Sequence, residues 1–329
     1  MPAAVPLVTV VRSGVRESVH LGHVAVCDPR GRLVASAGDP SVLTFARSSM
    51  KPLQAAVSLH ALGRELPDEL VAVMCASHNG EDVHVRAVRR LLRTEGLGVS
   101  ALRCPPDFPM DDRARSEVRS PQRIRHNCSG KHAGMVVASA RAGWDPARYL
   151  ERAHPLQRRI AAAVPKATGA RRVRVGVDGC GVPVFGLPLR AMATLFARLT
   201  RPERLGALEP TAARAVAAMR AEPYLVAGRR RVDTAVMTEA PDVIVKVGAE
   251  GLLCAGLLGP GLGIAVKVAD GSARAAGPAL IHALRQLGAV DEAALERLVR
   301  YERRPVLGGG KPVGELAPSY RLGWVASEA

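Results

Sequence analysis

The sequence predicts an α+β fold: a mostly antiparallel sheet drawn from the two ends of the chain, with a helical lobe between them. Three observations point to it. Runs of alternating β-branched residues lie before residue 45 and return after residue 170. The stretch between them has helical spacing, with proline at starts and glycine at stops. The late strands follow one another through tight glycine-rich links, as antiparallel neighbours do. The 329 residues exceed what one minimal core needs. We read 1–329 as one domain, with a sheet lobe of about 1–45 and 170–329 and a helical lobe of about 46–169.

Taken in order, Val8–Val11 is a short strand. Val24–Cys27 and Arg32–Ser36 flank Asp28-Pro29-Arg30-Gly31, a strong hairpin signal. From Pro52, the spacing of Leu53, Val57 and Leu62 predicts a helix closed by Gly63. Val85, Val88 and Leu92 predict a half-buried helix over 81–95, ending at Gly96. Residues 103–127, rich in proline and charge, read as a long connection, and connections of that length are usually functional or mobile. A helix of small residues runs from Lys131 to Arg141, and Asp145-Pro146 and His154-Pro155 are each expected to start another. A strand at 172–178 and helices at about 188–200 and 210–221 precede three strands at 242–247, 252–258 and 262–268. Amphipathic helices at about 277–287 and 291–302 nearly close the chain.

Composition narrows the function classes. No run of eighteen apolar residues occurs, and the start lacks a charged-then-hydrophobic leader, so the chain is expected to be cytoplasmic with no membrane partner. The net charge of +16 invites a nucleic-acid reading. Its arginines are scattered, however, and aromatics for base stacking make up only 3%, so no nucleic-acid partner is expected. The six cysteines are dispersed, which disfavours a disulfide framework and favours reduced thiols, some of them metal-bound.

Reactive side chains gather in short segments at predicted element boundaries, where side chains are presented rather than packed away. In Arg47-Ser48-Ser49-Met50-Lys51-Pro52, Ser48 and Lys51 share a helical face at i and i+3, so an unprotonated amine could activate the hydroxyl. Ser49 is on the wrong side for this. Pro52 suits a first helical turn but pushes the residue before it away from helical geometry, which sets the Ser48–Lys51 turn in conflict with its neighbour. On spacing alone, a serine three before a lysine is most often a solvated helix face. Ser77-His78, in Cys75–Glu81, reads locally as a polar turn. Cys128, Lys131 and Cys180 supply two thiolates and a nitrogen, a set that suits zinc, although His132 is the more conventional nitrogen ligand. Lys246 and Lys267 interrupt apolar strands. Burial there would lower a lysine's pKa toward what a base needs, and the alternative is an edge lysine reaching water.

Together, Arg47–Pro52, Ala76–Glu81, Asn127–Ala133, Val177–Pro183 and Lys246–Gly251 resemble the asparaginase II family, the Ser-Lys, zinc-binding type of L-asparaginase. The resemblance extends from about residue 8 to residue 320. It implies a fold similar to serine β-lactamases and glutaminases, a single catalytic domain, and usually a homodimer. The implied reaction is hydrolysis of L-asparagine to L-aspartate and ammonia through an acyl-enzyme. By match of motif, Ser48 would be the nucleophile and Lys51 its base, with Ser77 and Lys267 as a second Ser-Lys pair. Cys128, Lys131 and Cys180 would hold zinc. Arg47, His78, His132 and Asp178 would line the substrate. Asn79 departs from the family pattern, which often has serine there. Two alternatives share parts of this reading: another Ser-Lys amide hydrolase, such as a glutaminase or β-lactamase-like enzyme, and a non-catalytic basic zinc-binding protein.

Overall fold

The computed structural model describes residues 3–325. In chain order the strands β1 (Val5–Arg12), β2 (Val15–Cys27), β3 (Leu33–Ala37) and β4 (Leu43–Phe45) come first. The helices α1 (Lys51–Leu62), α2 (Asp68–Cys75), α3 (Asp82–Arg93), α4 (Asp112–Ser116), α5 (Ser129–Arg141) and α6 (Pro155–Thr168) follow. Next are β5 (Arg174–Val177), β6 (Pro183–Pro188), α7 (Leu189–Leu199), α8 (Glu209–Ala221), α9 (Pro223–Val226) and α10 (Val232–Glu239). The chain ends with β7 (Val243–Val247), β8 (Leu252–Leu257), β9 (Leu262–Val268), α11 (Ala273–Gln286), α12 (Glu292–Glu302), β10 (Arg304–Gly308), β11 (Lys311–Pro318) and β12 (Gly323–Trp324). This is an α+β architecture, as the sequence predicts.

The chain forms two compact units. One holds the residues up to Ser49, Leu187–Arg201 and those from Ala235 on; the other holds Met50–Gly186 and Pro202–Thr234. Residues 170–186 and 202–234 therefore belong with the helices, where the sequence reading assigned them to the sheet.

In the first unit, seven strands run β10-β11-β1-β2-β9-β8-β7, and β3 and β12 extend the sheet from β2 to make nine. Every pairing described is antiparallel, including β1 with β11, which joins Val8 to Pro318. The centre of the sheet is small and apolar because a helix backbone lies against it. Gly263 faces α7 so closely that a Cβ there would sit 1.9 Å from the Ala193 carbonyl oxygen. Its partner across the β8–β9 pair is Gly256, where a Cβ would sit 2.8 Å from the Phe196 carbonyl oxygen. The closing hairpin β10–β11 carries no strong alternation, and the sequence reading ends at the helices before it.

In the second unit, α1 is buried along most of its length and packs against α5, α8, α6 and α2. It stops where expected: Gly63 takes the left-handed conformation (φ 67°) and its N–H returns to the Leu59 carbonyl. α2 and α5 touch backbone to backbone at Gly130, where a Cβ would lie 2.0 Å from the Val73 carbonyl oxygen. The helix expected at Asp145-Pro146 is absent. Asp145 instead caps a turn by accepting from the Ala147 N–H, and the chain does not re-enter a helix until Pro155, with the His154 ring accepting from the Leu156 N–H. β5 pairs with β6 in an antiparallel register that joins Arg174 to Gly186.

Candidate active site

Residues Arg47–Met50 form a 3₁₀ turn that leads directly into α1. Lys51 is the first residue of α1 and Pro52 the second, with Met50 as the cap at helical angles (φ −79°, ψ −10°). Pro52 is thereby accommodated, because its missing N–H falls among first-turn groups that have no helical partner. Ser48 lies within that turn, and Lys51 is the residue that follows it. Arg47 holds a left-handed φ of 44° and pairs with Glu250 at 4.0 Å. The two serines are distinguished by burial. Ser49 is fully buried and donates to the Lys246 carbonyl at 3.0 Å, whereas Ser48 is partly exposed.

Lys51 is buried, and its amine donates to the Ala76 carbonyl at 2.7 Å and to Ser77 Oγ at 2.8 Å. Burial holds its pKa below the usual lysine value; Cys128 and Cys180 oppose the shift and Lys131 adds to it. Ser77 thus receives its amine from Lys51, where the sequence reading had Lys267 in that place. Lys267 sits on an interior strand opposite His23 and donates to the carbonyls of Glu250 and Val268. It is neither an edge residue nor fully buried, and burial lowers its pKa against the pull of Glu250 and Asp270. Lys246 is fully buried and donates to the Val247 carbonyl at 3.0 Å.

The loop carrying Ser77 is fastened from several sides. The Ser77 and Asn79 N–H groups donate to the Val226 and Ala227 carbonyls, and the His78 N–H donates to Asn127. Asn79 gives its amide to Glu81 Oε1 at 3.1 Å and to the Arg229 carbonyl at 3.0 Å, and accepts from Arg231 at 3.0 Å. The departure at residue 79 is therefore a scaffold contact. Both nitrogens of buried His78 are engaged. Nδ1 accepts from the Gly80 N–H, which puts the proton on Nε2, and Nε2 then donates to Ser129 Oγ at 3.0 Å. Ser129 passes its own proton to the Ile124 carbonyl at 2.8 Å. His78, expected at the substrate, links its loop to the first residue of α5.

Cys128, Lys131 and Cys180 converge. Lys131 Nζ lies 2.9 Å from Cys180 Sγ, and Asp178 Oδ2 lies 3.9 Å from the same sulfur. A hydrogen bond with Cys180 pulls the Cys128 thiol well below its ordinary pKa, helped by the charges of Lys51 and Lys131; the same contact and burial push Cys180 up. Burial opposes a charged Lys131, but the two cysteines outweigh it and raise its pKa. None of the six cysteines is in a disulfide, and all are buried. Among the described residues, no group of three or more His, Cys, Asp or Glu could hold a metal ion. A site here therefore depends on the lysine. Two sulfurs and an amine gathered around Cys180 are chemically suited to a borderline-soft cation. The remaining candidate ligand, His132 on α5, lies buried with Nδ1 2.7 Å from the Tyr149 hydroxyl.

The L-asparaginase II family profile matches residues 8–318. The chain belongs to the L-asparaginase II family. As a family member it is a hydrolase acting on amides. No curated protein matches. Among solved structures, a β-lactamase from Mycobacterium bovis aligns at 16% identity and a TM-score of 0.38, covering 85% of this chain and 95% of that one. Among the described residues, no helix is long and apolar enough to cross a membrane.

Two residues that support this site were given no role by the sequence: Glu81, although it closes the segment Ala76–Glu81, and Tyr149, which lies in none of the reactive segments. Glu81 accepts from Tyr224, Asn79 and Arg229 and anchors the Ser77 loop. Tyr149, in an irregular stretch, reaches His132. Only their partners across the fold reveal these roles.

Proposed function

We propose that this chain is an L-asparaginase that hydrolyses L-asparagine to L-aspartate and ammonia, with Ser48 as nucleophile and Lys51 as base. The observation that carries the reading is the buried Lys51 amine, with its pKa lowered by burial and Ser77 Oγ 2.8 Å away. A neutral lysine is a competent base for a serine hydroxyl. Lys51 takes the Ser48 proton as Oγ attacks the side-chain amide carbon. The C–N bond breaks, and the proton returns to the leaving nitrogen from Lys51, with Ser77 as its relay. Water then adds to the aspartyl ester and gives a proton to Lys51, which passes it to Ser48 Oγ as the ester C–O bond breaks and aspartate leaves.

Arg47 and Asp178 have opposite charges, which suits the carboxylate and ammonium of an amino-acid substrate. Cys128, Lys131 and Cys180 would hold zinc, which when bound would supply positive charge for orienting the substrate. The test is ammonia release from asparagine and glutamine beside ring opening of a β-lactam, each with and without chelator. Asparagine is expected to be the best substrate. Ser48→Ala and Lys51→Met are expected to lose activity by several orders of magnitude, and wild-type-like rates in either would refute the assignment. Preference for glutamine or the β-lactam would keep the Ser-Lys chemistry and move the substrate.

A further inference from the structure

The contacts of Tyr149 determine where a histidine proton resides. The Arg103 N–H donates to the Tyr149 hydroxyl oxygen at 2.8 Å. The phenol has one proton of its own, and the hydroxyl's other hydrogen-bond partner among the described residues is His132 Nδ1 at 2.7 Å. Were Nδ1 protonated, the oxygen would accept twice and the phenol proton would be sealed without an acceptor, since Tyr149 is fully buried. Nδ1 therefore accepts, and the ring proton sits on Nε2. That nitrogen is buried and has no hydrogen-bond partner among the described residues. A buried donor without an acceptor is costly, so its persistence in a packed interior points to a ligand atom that completes it.

The surroundings agree with this. His132 follows Lys131 on α5 and lies within electrostatic reach of Cys128 and Lys51. Tyr149 is fixed independently: its carbonyl accepts from Gln157 Nε2 at 2.7 Å, and its ring meets His132 edge-on at 5.5 Å and 77°. The imidazole is thus oriented from behind, while its far nitrogen is buried without a partner among the described residues.

We propose that Tyr149 is a positioning residue that locks the His132 proton onto Nε2, so that Nε2–H donates to a carbonyl or carboxylate oxygen of the substrate. The inference rests on the amide-hydrolase reading above and adds the donor that recognises substrate oxygen.

The experiment has two readouts on the full-length protein. In a histidine-selective ¹⁵N spectrum, with the His132 signal assigned by its loss in His132→Gln, the wild type is expected to show Nε2 protonated and Nδ1 bare. Tyr149→Phe is expected to move that signal toward a tautomer mixture. In ammonia release from asparagine, Tyr149→Phe is expected to raise KM about tenfold with a smaller change in kcat, the size of one hydrogen bond. His132→Gln places an amide N–H near the Nε2 position and should retain substrate binding. His132→Asn places it near Nδ1 and should not. An Nδ1-protonated His132, or equal KM values for the Gln and Asn variants, overturns the proposal. A misfolded Tyr149→Phe leaves the wild-type spectrum and the Gln–Asn pair to decide. A wild type that hydrolyses no amide refutes the functional reading and the substrate half of this inference, while the spectrum still decides whether Tyr149 sets the tautomer.

Discussion

Substituting Gly130 by alanine tests whether the α2–α5 contact sets the geometry of the cysteine–lysine cluster. On helix propensity alone the change stabilises by about 1 kcal/mol, because Gly130 lies within α5. Sterics reverse the sign. The new Cβ would sit 2.0 Å from the Val73 carbonyl oxygen and 2.8 Å from its carbonyl carbon, where ordinary contacts begin near 3.4 Å. That oxygen cannot swing aside freely, since it accepts the Ala76 N–H that ends α2. The helices must separate by about 1 Å, and overpacking of this kind costs up to about 3 kcal/mol. The net loss is about 2 kcal/mol, a fall of about 4–8 °C in melting midpoint for a unit of this size. Because the first turns of α5 carry Lys131 and His132, a displacement of this size should also cut the rate about 10²-fold. Thermal unfolding and ammonia release measure both quantities. Gly134→Ala is the comparison: the atoms nearest its Cβ would be those of the flexible Met74 side chain, so it should cost less. A Gly130→Ala protein with an unchanged or higher midpoint and full activity would show that this contact has slack and the reasoning is wrong.

Ser49→Ala should keep ammonia release near wild type while losing ~1 kcal/mol of stability, since its hydroxyl donates to the Lys246 carbonyl; activity lost in Ser49→Ala but kept in Ser48→Ala would exchange the two serines. Cys128→Ser should lower zinc content in purified protein, measured by elemental analysis, and unchanged content would remove Cys128 from the ligand set. Asn79→Ala should cost ~1–3 kcal/mol in denaturant unfolding, because Glu81, Arg231 and the Arg229 carbonyl each lose a partner. Glu302 gives a pH test. Burial alone would raise its pKa, but hydrogen bonds from His282 and Arg285 lower it to about 2. A depressed carboxylate stabilises above its unfolded pKa and loses that contribution as pH falls toward 2. With partly exposed partners, the contribution at neutral pH is on the order of 1–2 kcal/mol. Glu302→Gln should lose it at pH 7 and match wild type near pH 2; a gap independent of pH would assign the effect to packing.

The sequence alone determined the α+β class, most helix and strand positions, and the segments bearing reactive residues. Those features are local. Burial on one face imprints periodicity on the chain, and proline and glycine mark where a turn requires their backbone. The places where periodicity is weak were the places misread: the helix expected at Asp145, the β10–β11 hairpin, and residues 170–186 and 202–234, which fold with the helices. Partner identity was decided only by tertiary structure. Lys51 meets Ser77 across 26 positions, Lys131 meets Cys180 across 49, and His78 meets Ser129 across 51. No spacing rule reaches that far. A hydrogen bond depends on two atoms arriving within about 3 Å, and that is set by how α1, α2 and α5 pack rather than by the residues flanking either atom. The same holds for Tyr149: a tyrosine in an irregular stretch acquires a role only because the fold brings its single proton to His132.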